Sequence, residues 1–429
     1  MINEIMNTLY FDWAAGAPVD QEVLEGIRDI SVRFYGNPSS IHRAGREAEE
    51  LLNTSRVRFS ELLGCRDDEI IFTSGGTESN NLVLFSLLSM KPGKRLVLSS
   101  IEHASVYEPA KKLGRLGFDV QFVPVNKNGF VEPEKIEEAL DERTVMVSLM
   151  LVNNETGAVQ PVSEIAYLIR KYSERHGRKI HFHTDAVQAF GKIHFNPVEM
   201  GVDSASLSAH KIGGPRGVGA LFLKRGSIME SLYCGGGQEY GLRPGTENTP
   251  GIYVFVLAAE RRLSGMDEEL ERAGELESFL IHELLSMEDV HIIPEIRGEV
   301  VDMRCGGEES FQKRHVSPAL RRGMKSSRDK KFRFSPYILS VSFPPLPGEV
   351  LVRGLEGRGI LVGTGSACSS KKKERFRVFD SMKVPRDISS SSIRISTGHT
   401  TGKYEAVKLL ENLKLVAWEL REKVKGKYR

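Results

Sequence analysis

Lys211 stands in Ser206-Leu-Ser-Ala-His210-Lys211-Ile-Gly-Gly-Pro-Arg-Gly-Val-Gly-Ala220, with hydroxyls and a histidine before it and a glycine-rich run after it. A lysine at the end of such a turn can hold an aldehyde as a Schiff base, provided its ammonium is partly desolvated and sheds its proton easily. The same letters also suit a surface turn, so the surrounding chemistry decides. His183-Thr-Asp185-Ala-Val-Gln188 follows a strand of buried character, where a carboxylate needs a cationic partner. A pyridinium N–H is one such partner, and an Asp opposite it keeps the ring protonated as an electron sink. Gln188 can then reach a phenolic oxygen on the same ring; the alternative for Asp185 is a helix cap.

Phe72-Thr-Ser-Gly75-Gly76-Thr77-Glu78-Ser79-Asn80 joins a strand to an amphipathic helix beginning near Glu78. Glycines let backbone N–H groups approach an anion closely, and the unpaired N–H groups of a helix start point toward it. Thr77 adds a hydroxyl or serves as the helix cap. No Gly-Lys-Ser/Thr follows, which excludes a Walker loop. His103, in Ile101-Glu-His-Ala-Ser105, follows another strand end and can stack on a flat ring or shuttle protons, or be structural. Asn154, in Asn153-Asn154-Glu155-Thr-Gly157, reads as a turn whose amides can hold a substrate.

These residues need a scaffold, and the alternation of elements supplies one. Strand-like runs at 69–73, 95–99, 120–124, 144–150 and 179–183 alternate with helical patterns such as Val162 to Arg175, and a further apolar run covers 218–223. That alternation predicts an α/β fold with a large, mostly parallel sheet covered on both faces, whose ligands sit beyond the carboxyl ends of its strands. After about residue 260 a charged helix (267–286) leads to short strands at 290–293, 338–343, 360–362 and 392–396. A striped C-terminal helix spans 404–424. The reading is a large domain over 15–262 and a smaller α+β domain built from 1–14 and 263–429.

At 429 residues, 40% hydrophobic and 27% charged, the chain has the composition of an ordinary globular enzyme. No apolar run approaches the roughly 18 residues of a membrane span, and Met1 to Tyr10 lacks a leader pattern. Cysteines 65, 234, 305 and 368 show no metal-ligand spacing, which points to reduced thiols and a cytoplasmic home. The net charge of +2 conceals one segment, Arg304–Phe334, with ten Lys or Arg and three acidic residues. It reads as a mobile basic insertion.

In order along the chain, Gly36-Asn-Pro-Ser-Ser-Ile-His42, the Phe72–Asn81 segment and Val152-Asn-Asn-Glu-Thr-Gly157 come first. Ser208-Ala-His-Lys-Ile-Gly-Gly-Pro215, Gly235-Gly-Gly-Gln-Glu239, Leu242-Arg-Pro-Gly-Thr-Glu-Asn248 and Gly365-Ser-Ala-Cys-Ser-Ser370 follow. The series resembles the cysteine desulfurases of the pyridoxal-phosphate class V aminotransferase family, fold type I, from about residue 10 to 400. The resemblance implies that Lys211 carries pyridoxal 5'-phosphate, Asp185 faces its ring nitrogen, Gln188 its phenolic oxygen, and His103 stacks on the ring. Thr77, Ser208 and His210 hold the phosphate, with backbone from Gly76. Asn154 lies beside cofactor and substrate, and Arg394 in Ser392-Ile-Arg-Ile-Ser396 grips the substrate carboxylate, as a bidentate guanidinium suits. Thr246 reaches the neighbouring subunit's cofactor, which implies a homodimer.

Cys368 decides the chemistry that the resemblance implies. Its thiolate takes sulfur from L-cysteine as a persulfide, releases L-alanine, and passes the sulfur to an acceptor, an iron–sulfur scaffold or a tRNA thiolation enzyme. Selenocysteine lyase, or another class V lyase or aminotransferase, is the alternative. A sulfur-carrier scaffold acting mainly through partners, or nucleic-acid binding through the basic insertion, is a reading of a different class. No resident metal is expected, Cys368 being at most a transient ligand for an acceptor's cluster. The sequence departs from the family at Trp13 and Gly16, which bears on substrate contacts at the mouth. It departs again at Gly363-Thr364, in the basic run Lys371–Arg377, and in the insertion.

Overall fold

A computed structural model describes residues 8–227, 229–298, 334–365 and 376–426. Seven strands form the main sheet: β2 (Ile70–Thr73), β3 (Arg95–Ser99), β4 (Asp119–Val123), β5 (Thr144–Ser148), β6 (His181–Asp185), β7 (Ser204–Ser208) and β8 (Gly219–Leu223). Five short strands lie outside it: β1 (Leu9–Phe11), β9 (His291–Ile293), β10 (Ile338–Ser342), β11 (Ile360–Val362) and β12 (Ser392–Ser396).

The main sheet runs in the order β2-β8-β7-β6-β5-β3-β4. Only β8 is reversed, antiparallel to β7 and to β2, so the carboxyl ends of the other six strands share one edge. Strands buried on both faces need no alternation, and both β7 and β8 are buried at every position. The helices Arg43–Leu63 and Thr249–Leu263 cover one side of this core, where Phe59, Phe190 and Phe255 meet as tilted and edge-on rings. A second apolar cluster joins the antiparallel sheet β12-β10-β9 to the helices Met266–Leu285, Gly348–Glu356 and Lys403–Gly426.

Four differences from the sequence reading have local causes. The helix expected near Glu78 begins at Gly76 with Gly75 as its cap, so Thr77 sits inside the first turn rather than capping it. The strand expected over 179–183 is shifted to 181–185, which makes Asp185 its last residue. Its Oδ1 accepts from the Val187 backbone N–H at 3.0 Å and caps a turn rather than a helix. Phe334 is not part of a mobile loop: it bridges Ala158 and packs on Phe130 at 5.2 Å, only 5% exposed. The rest of the basic insertion lies outside the described residues, as do Cys368 and Lys371 to Arg375.

Trp13, which the sequence reading tied to the mouth, is packed inward. It is 5% exposed, set edge-on to His399 at 5.2 Å, and any Cβ on Gly398 would overlap its ring. The bulky departure at 13 is therefore accommodated by a glycine at 398.

Glu102 is a buried carboxyl beside this architecture, accepting on Oε1 from Ser99 Oγ and from the Met150 N–H, while Oε2 has no partner among the described residues. Burial pushes it from 4.5 up to about 8. Folded Glu102 thus keeps a proton that the unfolded chain releases, and its contribution to stability is lost as pH rises from about 4.5 through about 8. Glu102→Gln keeps the acceptor and cannot ionise. Its Tm relative to wild type should move in the variant's favour by about 2–4 °C between pH 5 and pH 8. A constant offset in thermal unfolding across that range would contradict the assignment.

Candidate active site

The carboxyl edge of the main sheet opens into a cavity of ≈ 710 Å³. Gly75, Gly76 and Thr77 after β2, His103 after β3, and Asn154 after β5 all line it. So do Asp185 ending β6, Gln188 in the turn beyond it, and Ser208, His210 and Lys211 at the end of β7. Arg394, from β12, closes the opposite side. All but one of the expected site residues within the described parts meet here. The exception, Thr246, lines a separate recess of ≈ 90 Å³ with Glu239 and Arg243.

Close backbone packing builds the anion end. A Cβ on Gly219 in β8 would lie 2.5 Å from Gly75 Cα, and one on Gly76 would overlap Val187. Glycine at these places lets the first turn of the helix descend against the sheet, presenting its open N–H groups to the cavity. Ser208 Oγ and His210 Nδ1 lie 2.8 Å apart beside it. Burial, then the Lys211 charge, pushes His210 down to about 4, so its ring is neutral there.

The N-terminal segment after β1 forms the other wall, a role that the sequence reading did not assign. Lys211 Nζ donates to the carbonyls of Ala14 and Ala15, each at 2.7 Å. Gln188 Nε2 donates to the same Ala14 carbonyl at 2.8 Å, and Gln188 Oε1 accepts from Lys192 Nζ at 2.9 Å. Lys192 is 7% exposed, and burial pushes it from 10.5 down to about 7, with the charges of Lys211 and Arg394 adding to the effect. Two lysines thus stand near one another, but only Lys211 is among the cavity residues.

Arg394 is 2% exposed. Its Nη2 pairs with Asp12 Oδ1 at 2.7 Å, while Nη1 donates to the carbonyls of Asn154 at 2.8 Å and Gly365 at 3.1 Å. Its Nε has no partner among the described residues. Glu155, also buried and cavity-lining, has no partner on Oε2 among the described residues and is pushed up to about 7 by burial. Asp12 was visible in the motif Tyr10-Phe-Asp12 but carries no signal of its distant partner. Arg377, the last residue of the basic run, lines the cavity and donates to the carbonyls of Ser100 and Glu102.

His103 has the structural role and also faces the cavity. It caps the helix Ala104–Arg115, accepting on Nδ1 from the Ser105 N–H at 3.2 Å, and it lines the cavity. Burial lowers it from 6.5, with Lys211 and Arg377 acting in the same direction.

Comparison with known proteins agrees with this geometry. The family described as aminotransferase class-V matches residues 9–309. The cysteine desulfurase IscS of Dictyoglomus turgidum is 36% identical over 416 residues, 96% of this chain and 95% of that protein. Cysteine desulfurase IscS 1 of Archaeoglobus fulgidus is 35% identical, covering 96% and 97%. Among solved structures, a NifS-like protein superposes with a TM-score of 0.81 at 34% identity, covering 96% of this chain and 99% of that one. The NifS-like protein of Rickettsia africae gives a TM-score of 0.77 at 28% identity, covering 95% and 99%.

Proposed function

The chain belongs to the class-V aminotransferase family, among its cysteine desulfurases of fold type I, and from this premise we propose that it converts L-cysteine to L-alanine while Cys368 takes the sulfur. The observation that carries the reading is the cavity itself. An anion cradle, a buried carboxylate and a lysine, each at the end of a different strand, face one space. The fit to pyridoxal phosphate is chemical: the open helix start with Ser208 and His210 suits a phosphate, Asp185 suits a ring N–H, and Lys211 suits the aldehyde. When bound, this cofactor would take up the electron pair left at the substrate's α-carbon.

The chain's own residues do the rest. Arg394, with its unpartnered Nε and its head braced by Asp12, would hold the substrate carboxylate. Lys211, tethered at Nζ by two carbonyls of the N-terminal wall, is the candidate to remove and return the α-proton, with His103 as the second proton donor. The Cys368 thiolate would attack the substrate sulfur. The carbon–sulfur bond breaks with its electrons moving to carbon, which gains a proton, so cysteine and one thiol give alanine and one persulfide. No external oxidant is needed.

The reading includes two domains, 15–262 and 1–14 with 263–429; a second apolar cluster centred on the β12-β10-β9 sheet supports it, while the first cluster also takes in Met266, Ile293 and Ile338. It also includes a homodimer in which Thr246 serves the neighbouring site, supported by the position of Thr246 outside its own cavity. The persulfide would pass to an acceptor of iron–sulfur assembly or tRNA thiolation in the cytoplasm; no helix among the described residues is long and apolar enough to cross a membrane.

The test is product analysis with a small thiol reductant: alanine and sulfide should form in equal amounts from cysteine. Formation of pyruvate or a transaminated product instead would overturn the reading. Arg394→Ala should weaken kcat/KM by about 2–5 kcal/mol, chiefly through KM, because a buried carboxylate then lacks its charged partner. Arg394→Lys should recover only part of this, since one ammonium cannot span Asp12, the Asn154 carbonyl and a substrate. Steady-state kinetics with an unchanged KM in Arg394→Ala would remove the residue from substrate binding.

A further inference from the structure

Behind Asp185 runs a buried chain of hydrogen bonds that the reaction described above leaves unused. Asn80 Nδ2 donates to Asp185 Oδ2 and to Ser105 Oγ, each at 2.8 Å. On the other side of the amide, Asn80 Oδ1 lies 2.9 Å from His183 Nε2. His183 Nδ1 meets Ser204 Oγ at 2.8 Å, and His181 Nε2 meets the same hydroxyl at 2.7 Å. Asn80, His183 and Ser204 are each 0% exposed, so bulk water does not compete for these groups.

Donor and acceptor chemistry leaves one arrangement of protons along this chain. A carboxylate only accepts, so the nitrogen of Asn80 faces Asp185 and its oxygen faces His183. An amide oxygen also only accepts, so His183 carries its proton on Nε2. Burial, then the neighbouring His181, pushes His183 down to about 3; the ring is neutral and Nδ1 is an acceptor. Ser204 therefore donates to His183 Nδ1, and its oxygen accepts from His181 Nε2–H. At the other branch, Ser105 Oγ has accepted an Asn80 N–H and donates its own proton to His103 Nδ1 at 2.7 Å. Since His103 Nδ1 also accepts the Ser105 backbone N–H, His103 is held with its proton on Nε2.

We propose that Asn80 is a positioning residue that couples Asp185 to His103 through a single amide, and that the His183–Ser204–His181 chain locks which way that amide faces. The proposal rests on the functional reading given above. Were the amide to turn over, an oxygen would face the carboxylate, Asp185 would lose a donor, and Ser105 would no longer be committed to His103. Both groups flanking the ring site would lose their fixed geometry together.

The wild-type holoenzyme provides the first test, without any substitution. Nitrogen NMR of histidine-labelled protein should report the Nε2–H tautomer for His103, His181 and His183. Finding His183 or His103 as the Nδ1–H tautomer would overturn the proposal. In the second test His183→Leu should shift the pH midpoint of the cofactor's visible absorption and lower kcat about 10–100-fold, with KM changed less than about threefold. His183→Gln, whose amide nitrogen can donate to Asn80 Oδ1, should restore most of both. A His183→Leu enzyme with unaltered spectrum and kcat within about twofold of wild type would overturn the coupling. A wild-type protein that bound no pyridoxal phosphate would refute the functional reading instead, and the tautomers would still decide the relay by themselves.

Discussion

Lys211→Ala should lose the visible absorption of the bound cofactor, and its turnover of cysteine should fall by at least about 10³-fold. The loss should be chemical rather than structural. Lys211 Nζ bonds the carbonyls of Ala14 and Ala15 at the cavity wall, and the Ala14 carbonyl keeps its bond from Gln188 when the lysine is removed. Tm should therefore change little. The neighbouring Lys192 makes the prediction pointed. Burial pushes its ammonium down to about 7, yet it binds Gln188 Oε1 and is not among the cavity residues. A lowered pKa alone would admit Lys192; geometry points to Lys211, which lines the cavity. Borohydride reduction of the yellow wild-type enzyme and peptide mapping should place the adduct on Lys211, and an adduct on Lys192 would reverse the assignment.

Cys368→Ala should separate cofactor chemistry from sulfur removal. The variant should bind pyridoxal phosphate and respond spectrally to cysteine. It should form alanine at least about 10³-fold more slowly, because no thiolate remains to accept the sulfur. Substitution by Cys65 or Cys234 is not expected. The Cys65 thiol is pushed up to about 12 by burial and by Glu69, so it holds little thiolate at neutral pH, while Cys234 is exposed and does not line the cavity. Cys368 itself lies outside the described residues. Gly365, just before its segment, and Arg377, two residues beyond it, both line the cavity, and the Gly365 carbonyl accepts from Arg394. Alanine formation by Cys368→Ala at a near-normal rate would contradict the mechanism.

Much of this arrangement was legible in the sequence because the chemistry sits at strand ends. β6 could be read two residues early, at 179–183, and a polar Asp185 just past that run already asked for a partner. The Gly75-Gly76 turn after β2 and the Lys211 turn after β7 were legible for the same reason: each breaks a buried run with residues that a buried run would not contain. What stayed hidden depends on contacts between distant positions. Three-residue strands have no period, so the parallel pairing of β1 with β11 could not be seen, nor the Ala14–Ala15 wall that it holds over the site. Asn80 lay within a quoted motif, but its bonds to Asp185 and His183 cross more than a hundred positions and leave no local trace. Thr77 looked like a helix cap because helix starts favour hydroxyls; Gly75, two residues earlier, took that place so that the backbone could pack on Gly219.

The central claim is that sulfur leaves cysteine by transfer to one named thiol. Mass spectrometry of the holoenzyme after a single turnover with sulfur-labelled cysteine, in the absence of reductant, tests it most directly. The account predicts one labelled sulfur atom on the peptide containing Cys368 for each alanine released. Alanine released with the label on another cysteine, or as free sulfide with Cys368 unmodified, would contradict it.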